Sequence, residues 1–346
     1  MTKPTEVPVT IDDIARAVGV HPGTVSRALR GISGKVSKDK RAEIERVARE
    51  LGYQPNTIAA SLRTKRTNIA AIVVPDLSNP LFGPIVQGLE QELRKHRMLC
   101  LVVQTPAKSE ERRDLVLALA SSHVSGLLIL AAESDDPMLA AAKQRQLPTV
   151  LVNRGTGDRD FSSVVSDDRE SVRLVVEHLL ALGHRSIGHI AGPSASSTGR
   201  VRHAAFVELT KQAGLKRCPV VEASAFTREA GRVAAEKLLK GKLRPTALFA
   251  ANDLIALGAL DVLKAEGVSV PRQMSLVGHN DMPLVDLIAP PLTTVRVPVE
   301  QMSEQAASLF LDHLMQPSLT PTTRVLMPKL FVRESTARHD VTGGIE

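Results

Sequence analysis

The stretch Thr10–Gly31, TIDDIARAVGVHPGTVSRALRG, decides the N-terminal fold. Thr10 is a fitting N-cap for a helix over Ile11–Val18, because Asp12 and Asp13 then fall in its electropositive first turn. Gly19 permits the left-handed turn that ends it, and Pro22 suits the first position of a second helix running to about Arg30. Further on, Ser37 can cap a third helix ending near Leu51, with Ile44, Val47, Ala48 and Leu51 on one apolar face and Gly52 as the stop. Two short helices joined by a glycine turn and followed by a third make a helix-turn-helix pattern, whose second helix enters the major groove of DNA. Its polar face holds Gly23, Ser26, Arg27 and Arg30, while Val25 with Ala28 or Leu29 turns to the core.

The charge distribution agrees. The net charge of the 346 residues is +7, yet residues 1–66 hold 13 Lys/Arg against 7 Asp/Glu and residues 67–346 hold 31 against 30. A basic arm on a neutral body is the footprint of a nucleic-acid binder, although a solvated basic face has the same signature.

Composition narrows the classes. The chain is 43% hydrophobic and 23% charged, which excludes disorder and coiled-coil rods. Having no Trp and a single Tyr, Tyr53, argues against a reader of single strands built on aromatic platforms. Two cysteines, Cys100 and Cys218, are too few for a disulfide framework or a Cys-rich zinc site. MTKPTEVPVT has no apolar signal region, and the most apolar stretch, around Gly126–Ala132, is far short of the ~20 residues a membrane span needs. A soluble, cytoplasmic protein without membrane contact is expected.

From about Asn68 apolar runs (IAAIVV, LCLVV, GLLIL, PTVLV, SIGHIAG, TALFA, SLVG) alternate with amphipathic helical stretches. The helix at 80–95, for example, puts Phe82, Ile85, Val86, Leu89 and Leu93 on one side. Alternation of this kind predicts parallel sheets covered by helices on both faces, and the length exceeds one comfortable core, so two lobes are expected. Polar residues follow the runs: Asp76 and Asn79, Asn153 and Arg154, Ser194, Asn252 and Asp253, His279, Asn280 and Asp281. Open parallel sheets bind ligands beyond the carboxyl ends of their strands, so these residues point to a crevice. Each Asn or Asp would serve equally as a helix N-cap.

At this point the residues match a family. VTIDDIARAVGVHPGTVSRALRG, VSKDKRAEIERVARELGYQPNTIAASLRTKRTNIAAIVVPDLSNPLF, VEHLLALGHRSIGHIAGP, RHAAF, FAANDLIALGAL, PPLTTVRVP and RESTA together resemble LacI/GalR-type transcriptional regulators over essentially the whole chain. The resemblance implies an all-α helix-turn-helix head at 1–55, a hinge helix and linker at 56–66, and an α/β two-lobed, periplasmic-binding-protein-like body at 67–346. Its lobes are expected at about 67–165 with 293–323, and at about 166–292 with 324–340, joined by three crossovers. It further implies a homodimer on double-stranded, pseudo-palindromic operator DNA, most simply as a repressor, controlled by a small-molecule effector.

Site residues follow position by position. In the hinge, Asn56, Ala59 and Leu62 are expected at DNA, with Leu62 as the minor-groove wedge unless it packs under the first lobe. In the second helix Arg27 matches the family's arginine and suits guanine, Thr24 and Ser26 suit phosphates, and His21 suits either. Pro22 and Gly23 stand where relatives carry base-reading side chains, so the half-site cannot be transferred. In the body, RHAAF makes Arg202 the arginine for effector oxygens, and FAAND makes Asn252 an effector-binding asparagine. Asn153 and Asn280 replace residues that are often Asp, and Arg154 follows, so the crevice is less negative and favours an anionic effector such as a sugar acid or small carboxylate. Neutral sugars, nucleobases and nucleosides stay open. Asn79 belongs to the same set, and Phe82 either flanks the ligand or sits in the core.

Rival classes find less support. There is no dinucleotide fingerprint, phosphate loop, nucleophile elbow or HExxH motif, and GISGK at Gly31–Lys35 is only an echo of a phosphate loop. His178, His184 and His189 are spaced by six and five residues, which does not suit a zinc site. No enzyme, metal or cofactor is expected, and a transport-type binding protein on the same body does not explain the basic head.

Overall fold

The computed structural model describes residues 9–29, 36–53, 67–130, 132–133, 135–157 and 160–339. The chain divides into two compact units, Met1–Thr67 and Asn68–Glu346.

In the first unit helix α1 (Ile11–Val18) opens with a capping box: Thr10 Oγ1 accepts from the Asp13 backbone and the Asp13 carboxylate accepts from Thr10 N. Gly19 closes it at φ 67°. Helix α2 (Pro22–Leu29) and helix α3 (Lys38–Glu50, capped by Ser37) follow. Ile14, Ala15, Val18, Val25, Ala28, Ile44 and Ala48 form the core they share. Leu51, expected on that face, is 41% exposed, because α3 has already ended and Leu51 is its C-cap.

The second unit contains two six-stranded sheets. The first has the order β11-β5-β4-β3-β1-β2, built from β1 (Ile69–Val74), β2 (Leu99–Gln104), β3 (Gly126–Leu130), β4 (Thr149–Asn153), β5 (Ser162–Ser166) and β11 (Thr323–Leu326). The second has the order β12-β10-β9-β8-β6-β7, from β6 (Ile187–Ala191), β7 (Val220–Glu222), β8 (Ala247–Ala250), β9 (Ser275–Asn280), β10 (Thr293–Arg296) and β12 (Lys329–Phe331). All neighbours are parallel except β10 and β12, which run antiparallel with Thr294 opposite Phe331. The expected parallel sheets are present, with one antiparallel pair at the edge of the second.

Period-two alternation explains why both faces of each sheet are covered. Ala70, Ile72 and Val74 of β1 pack under α4 (Phe82–Lys95) and α11 (Val299–Met315), while Ala71 and Val73 pack under α5 (Ser109–Ser121) and α6 (Pro137–Gln144). In the other lobe α7 (Asp168–Ala181) and α8 (Ser197–Gln212) cover one face, and α9 (Arg228–Leu239) and α10 (Asp253–Ala265) the other. The LCLVV run is an exception: as the edge strand β2 it leaves Leu99 70% exposed, with Leu101 and Val102 also exposed.

The chain passes between the lobes three times. The first passage follows Ser166 at the end of β5. The second follows Arg296 rather than falling near 293, because Thr293–Arg296 pairs with β9. The third follows Leu326 rather than 323, because Thr323–Leu326 pairs with β5. Among the described residues no helix is long and apolar enough to cross a membrane.

Candidate functional site

The carboxyl ends of the two sheets meet in a narrow cleft. Asn79 reaches it from the turn after β1 and Phe82 from the start of α4, Asn153 ends β4, Arg154 follows it, and Asn280 ends β9. Asn252 comes from the end of β8 and Arg202 from α8. All seven residues expected at an effector thus line one cleft, joined by Leu81, Thr198 and Phe226. The space they enclose is about 20 Å³, enough for about one water, so a ligand of sugar size requires the lobes to part.

Several of these side chains also hold the fold. Asn252 Oδ1 accepts from Ile255 N at 2.8 Å as the N-cap of α10, and its amide donates to Phe226 O at 3.3 Å. Asn79 Oδ1 accepts from Leu81 N at 3.1 Å. Asn153 and Asn280 have φ of 69° and 112°, a region in which asparagine is enriched among non-glycine residues. Backbone conformation is therefore a second reason for asparagine at both positions. Phe82 serves in both of its expected roles, lining the cleft and packing in the first lobe's core at 4% exposure.

The arginines differ in how they are compensated. Arg202, 4% exposed, donates through Nε to Asp168 Oδ1 at 2.7 Å and through Nη1 to the Ala251 carbonyl. The arginine expected to bind effector oxygens is therefore largely committed within the protein. Arg154 lies over the Phe226 ring, 4.8 Å from its centroid, and burial with the nearby charge of Arg202 lowers its pKa to about 10. Burial raises the Asp168 pKa although Arg202 opposes the shift. Beneath the cleft Asp253 accepts from Thr294 Oγ1 and Met282 N, and burial pushes its carboxyl up to about 7.

The three spaced histidines are bound separately: His178 to Thr336, His184 to Thr246 and Ser275, and His189 to the Phe249 carbonyl. Among the described residues no His, Cys, Asp and Glu cluster is arranged to hold a metal ion.

On the head, helix α2 has its own logic. His21 Nδ1 accepts from Gly23 N at 3.1 Å, so the exposed His21 side chain caps the first turn of α2. A Cβ at Gly23 would stand 3.2 Å from that Nδ1, so the His21 ring would have to give by a few tenths of an ångström to admit one. Thr24 Oγ1 accepts from Arg27 Nη2 at 3.3 Å, which braces the arginine one turn along. Ser26 is half-buried beside them. Arg30, Asn56, Ala59 and Leu62, and the GISGK segment, lie outside the described residues.

Leu81, Thr198 and Phe226 were not found from sequence. Thr198 stands one helical turn before Arg202, a spacing that signals a shared face. Phe226 follows the three-residue strand β7, too short to register as an apolar run.

Comparison with known proteins covers both units. Residues 10–56 match the model of bacterial regulatory proteins, lacI family, and residues 176–336 match that of the periplasmic binding protein-like domain. The chain is 34% identical over 334 residues to the HTH-type transcriptional regulator CelR of Thermobifida fusca, covering 94% of this chain and 98% of that one. It is 29% identical over 335 residues to the HTH-type transcriptional repressor CytR of Escherichia coli (strain K12), covering 96% and 98%. Among solved structures, the lac repressor dimer bound to operator and the anti-inducer ONPF aligns with a TM-score of 0.84 at 26% identity, covering 96% of this chain and all of that one. The CelR–cellobiose complex aligns at 0.73 with 32% identity, covering 94% and 99%.

Proposed function

Because the chain belongs to the lacI family of bacterial regulatory proteins, we propose that it is a sequence-specific DNA-binding transcriptional repressor controlled by a small molecule held between the two lobes of its body. One observation carries this reading: a helix-turn-helix head and a cleft that gathers Asn79, Asn153, Arg154, Arg202, Asn252 and Asn280 stand on one chain. His21, Thr24, Ser26 and Arg27 offer the head's contacts to operator DNA, with Arg30 and the hinge residues Asn56, Ala59 and Leu62 in the same role.

The protein works as a homodimer, since two heads must meet a pseudo-palindromic site. The exposed apolar edge of β2 supports self-association, as does the dimeric lac repressor as structural neighbour. Effector binding changes the relative orientation of the lobes and with it the presentation of the hinge, and DNA and effector then alter each other's affinity by the same factor. No catalytic role is assigned to any residue, and the site of action is the cytoplasm, where the DNA is.

Selection of duplex sites from a random pool by the full chain tests the reading. Enrichment of a two-fold symmetric sequence, bound by a sedimenting dimer and weakened by salt, is expected. A pool without enriched sequence would overturn it.

A further inference from the structure

One end of the first lobe breaks a rule that the second lobe keeps. In the second lobe α7, α8 and α10 run out into left-handed residues, and all three are glycine: Gly183 at φ 89°, Gly214 at 71° and Gly267 at 70°. A Cβ at Gly214 or Gly267 would meet nothing within 4 Å, so conformation rather than space selects glycine there. In the first lobe α4, α5 and α6 end in the same way, yet the left-handed residues are Arg97 at 59°, His123 at 56° and Gln146 at 52°. An L side chain in this region costs free energy that glycine is spared. Three such residues at one end of one lobe therefore point to a use for their side chains. Complementing the helix dipoles is not that use, because Lys211 and Lys264 do so from the last turns of α8 and α10 with a glycine after them.

The three residues lie in a row, because each leads into a strand. Arg97 precedes β2, His123 precedes β3 and Gln146 precedes β4, and these strands stand in the order β4-β3-β1-β2. Neighbouring strands are about 4.8 Å apart, so the row spans about 14 Å. Between its members lies the start of β1, which the chain enters at Asn68 on leaving the head unit. Leu99 N donates to the Asn68 carbonyl at 2.8 Å and Ser125 N to that of Ile69 at 2.7 Å, so Arg97 and His123 flank this point of entry. All three side chains are exposed. Arg94, Lys95 and Lys143 nearby are paired with Glu90, Glu92 and Asp160, whereas among the described residues Arg97 and Arg145 have no ion pair. A guanidinium, an imidazole and a carboxamide all donate, and phosphate oxygens accept from each. We propose that Arg97, His123 and Gln146 contact DNA phosphates, giving the body a DNA-binding surface in addition to the head's. The proposal rests on the regulator reading above, since the connection at Asn68 tethers this row to a head that binds the same duplex.

Salt-dependent DNA binding by the full chain tests the row, with the duplex that the chain selects and a random duplex as probes. The variant R97G/H123G/Q146G gives the first lobe the glycines of the second. Its melting temperature should equal or exceed that of wild type, while its affinity for both duplexes falls about tenfold. A dimer that loses two arginine contacts should also show a slope of log affinity against log salt that is smaller by about two. K242Q removes one exposed charge per protomer from the second lobe and should alter neither quantity. A lowered melting temperature in the triple variant would make the side chains structural. An unchanged salt slope would place them against protein rather than phosphate, and an equal change in K242Q would reduce the effect to net charge. Each of these outcomes overturns the proposal. A wild-type chain that selects no duplex removes the regulator reading and the row with it, whereas selection by wild type with full binding by the triple variant removes the row alone.

Discussion

Arg202 donates to Asp168 across 2.7 Å, 34 residues apart in sequence, and this buried pair ties the start of α7 to α8 where the chain has just entered the second lobe. Removing one partner leaves a buried charge unpaired, which costs about 3–5 kcal/mol. Arg202→Ala is therefore expected to lose stability of that order in urea denaturation as well as effector response. The double variant Asp168→Asn/Arg202→Gln should recover a substantial part of it. A single variant within about 1 kcal/mol of wild type would mean that the pair is solvated and carries no structural weight.

Packing makes a second prediction, at glycines rather than charges. Helices α9 and α10 approach so closely that a Cβ at Gly258 would lie 2.0 Å from the Arg228 carbonyl oxygen and 2.5 Å from Arg232 N. Gly258→Ala must push the helices apart and is expected to cost about 1–3 kcal/mol or more. Gly83, in the exposed first turn of α4, meets nothing within 4 Å, so Gly83→Ala should stabilise by about 0.5–1 kcal/mol. Thermal melts of the two variants should move in opposite directions, and a shift of the same sign in both would refute the packing argument.

What could be read from sequence follows from how local each signal is. Thr10, Gly19 and Ser37 are caps, and caps act within four residues, so both ends of α1 and the start of α3 are legible in the sequence. The strands that form continuous apolar runs were equally plain. The Ser-flanked strand β5 and the short β7, β10, β11 and β12 carried no such run, and they set the passages between the lobes. The cleft's polar residues were visible because each follows a strand. That Arg202 is paired by hydrogen bond with Asp168 depends on a contact across 34 residues that no local pattern encodes.

Protonation gives a third prediction. Burial lowers the pKa of His189 to about 3, drives His279 well below its usual value, and also lowers His178, His184 and His313. Below the unfolded value near 6.5 the unfolded chain takes up protons that these histidines refuse, so stability falls as pH falls. Asp253 acts in the opposite sense: with its carboxyl raised to about 7, the folded state holds a proton that the unfolded chain loses above about 4, so its contribution falls as pH rises toward 7. Asp168, also raised, adds to that opposing slope. Five histidines outweigh two carboxyls, and the melting temperature should drop from pH 7 to pH 5. Asp253→Asn removes an opposing group and should steepen that drop by up to about 1.4 kcal/mol per pH unit. An unchanged slope in that variant would place the Asp253 pKa near its ordinary value.

The last prediction concerns DNA. Arg27 is braced by Thr24 at 3.3 Å, and Thr24 stands in the first turn of a helix capped by His21, so the arginine's direction is set before it meets a base. An arginine held in this way suits the paired acceptors of guanine, where a good bidentate contact carries about 1–3 kcal/mol of discrimination. Arg27→Ala should therefore weaken the selected site by that amount, leave random duplex nearly untouched, and flatten the selected sequence at one position of each half-site. Thr24→Ala removes the brace and one phosphate donor, so it should weaken both kinds of DNA and relax the same position in part. Equal losses on selected and random DNA for Arg27→Ala would make that residue a phosphate contact, and base reading would then have to come from His21 or from residues beyond α2.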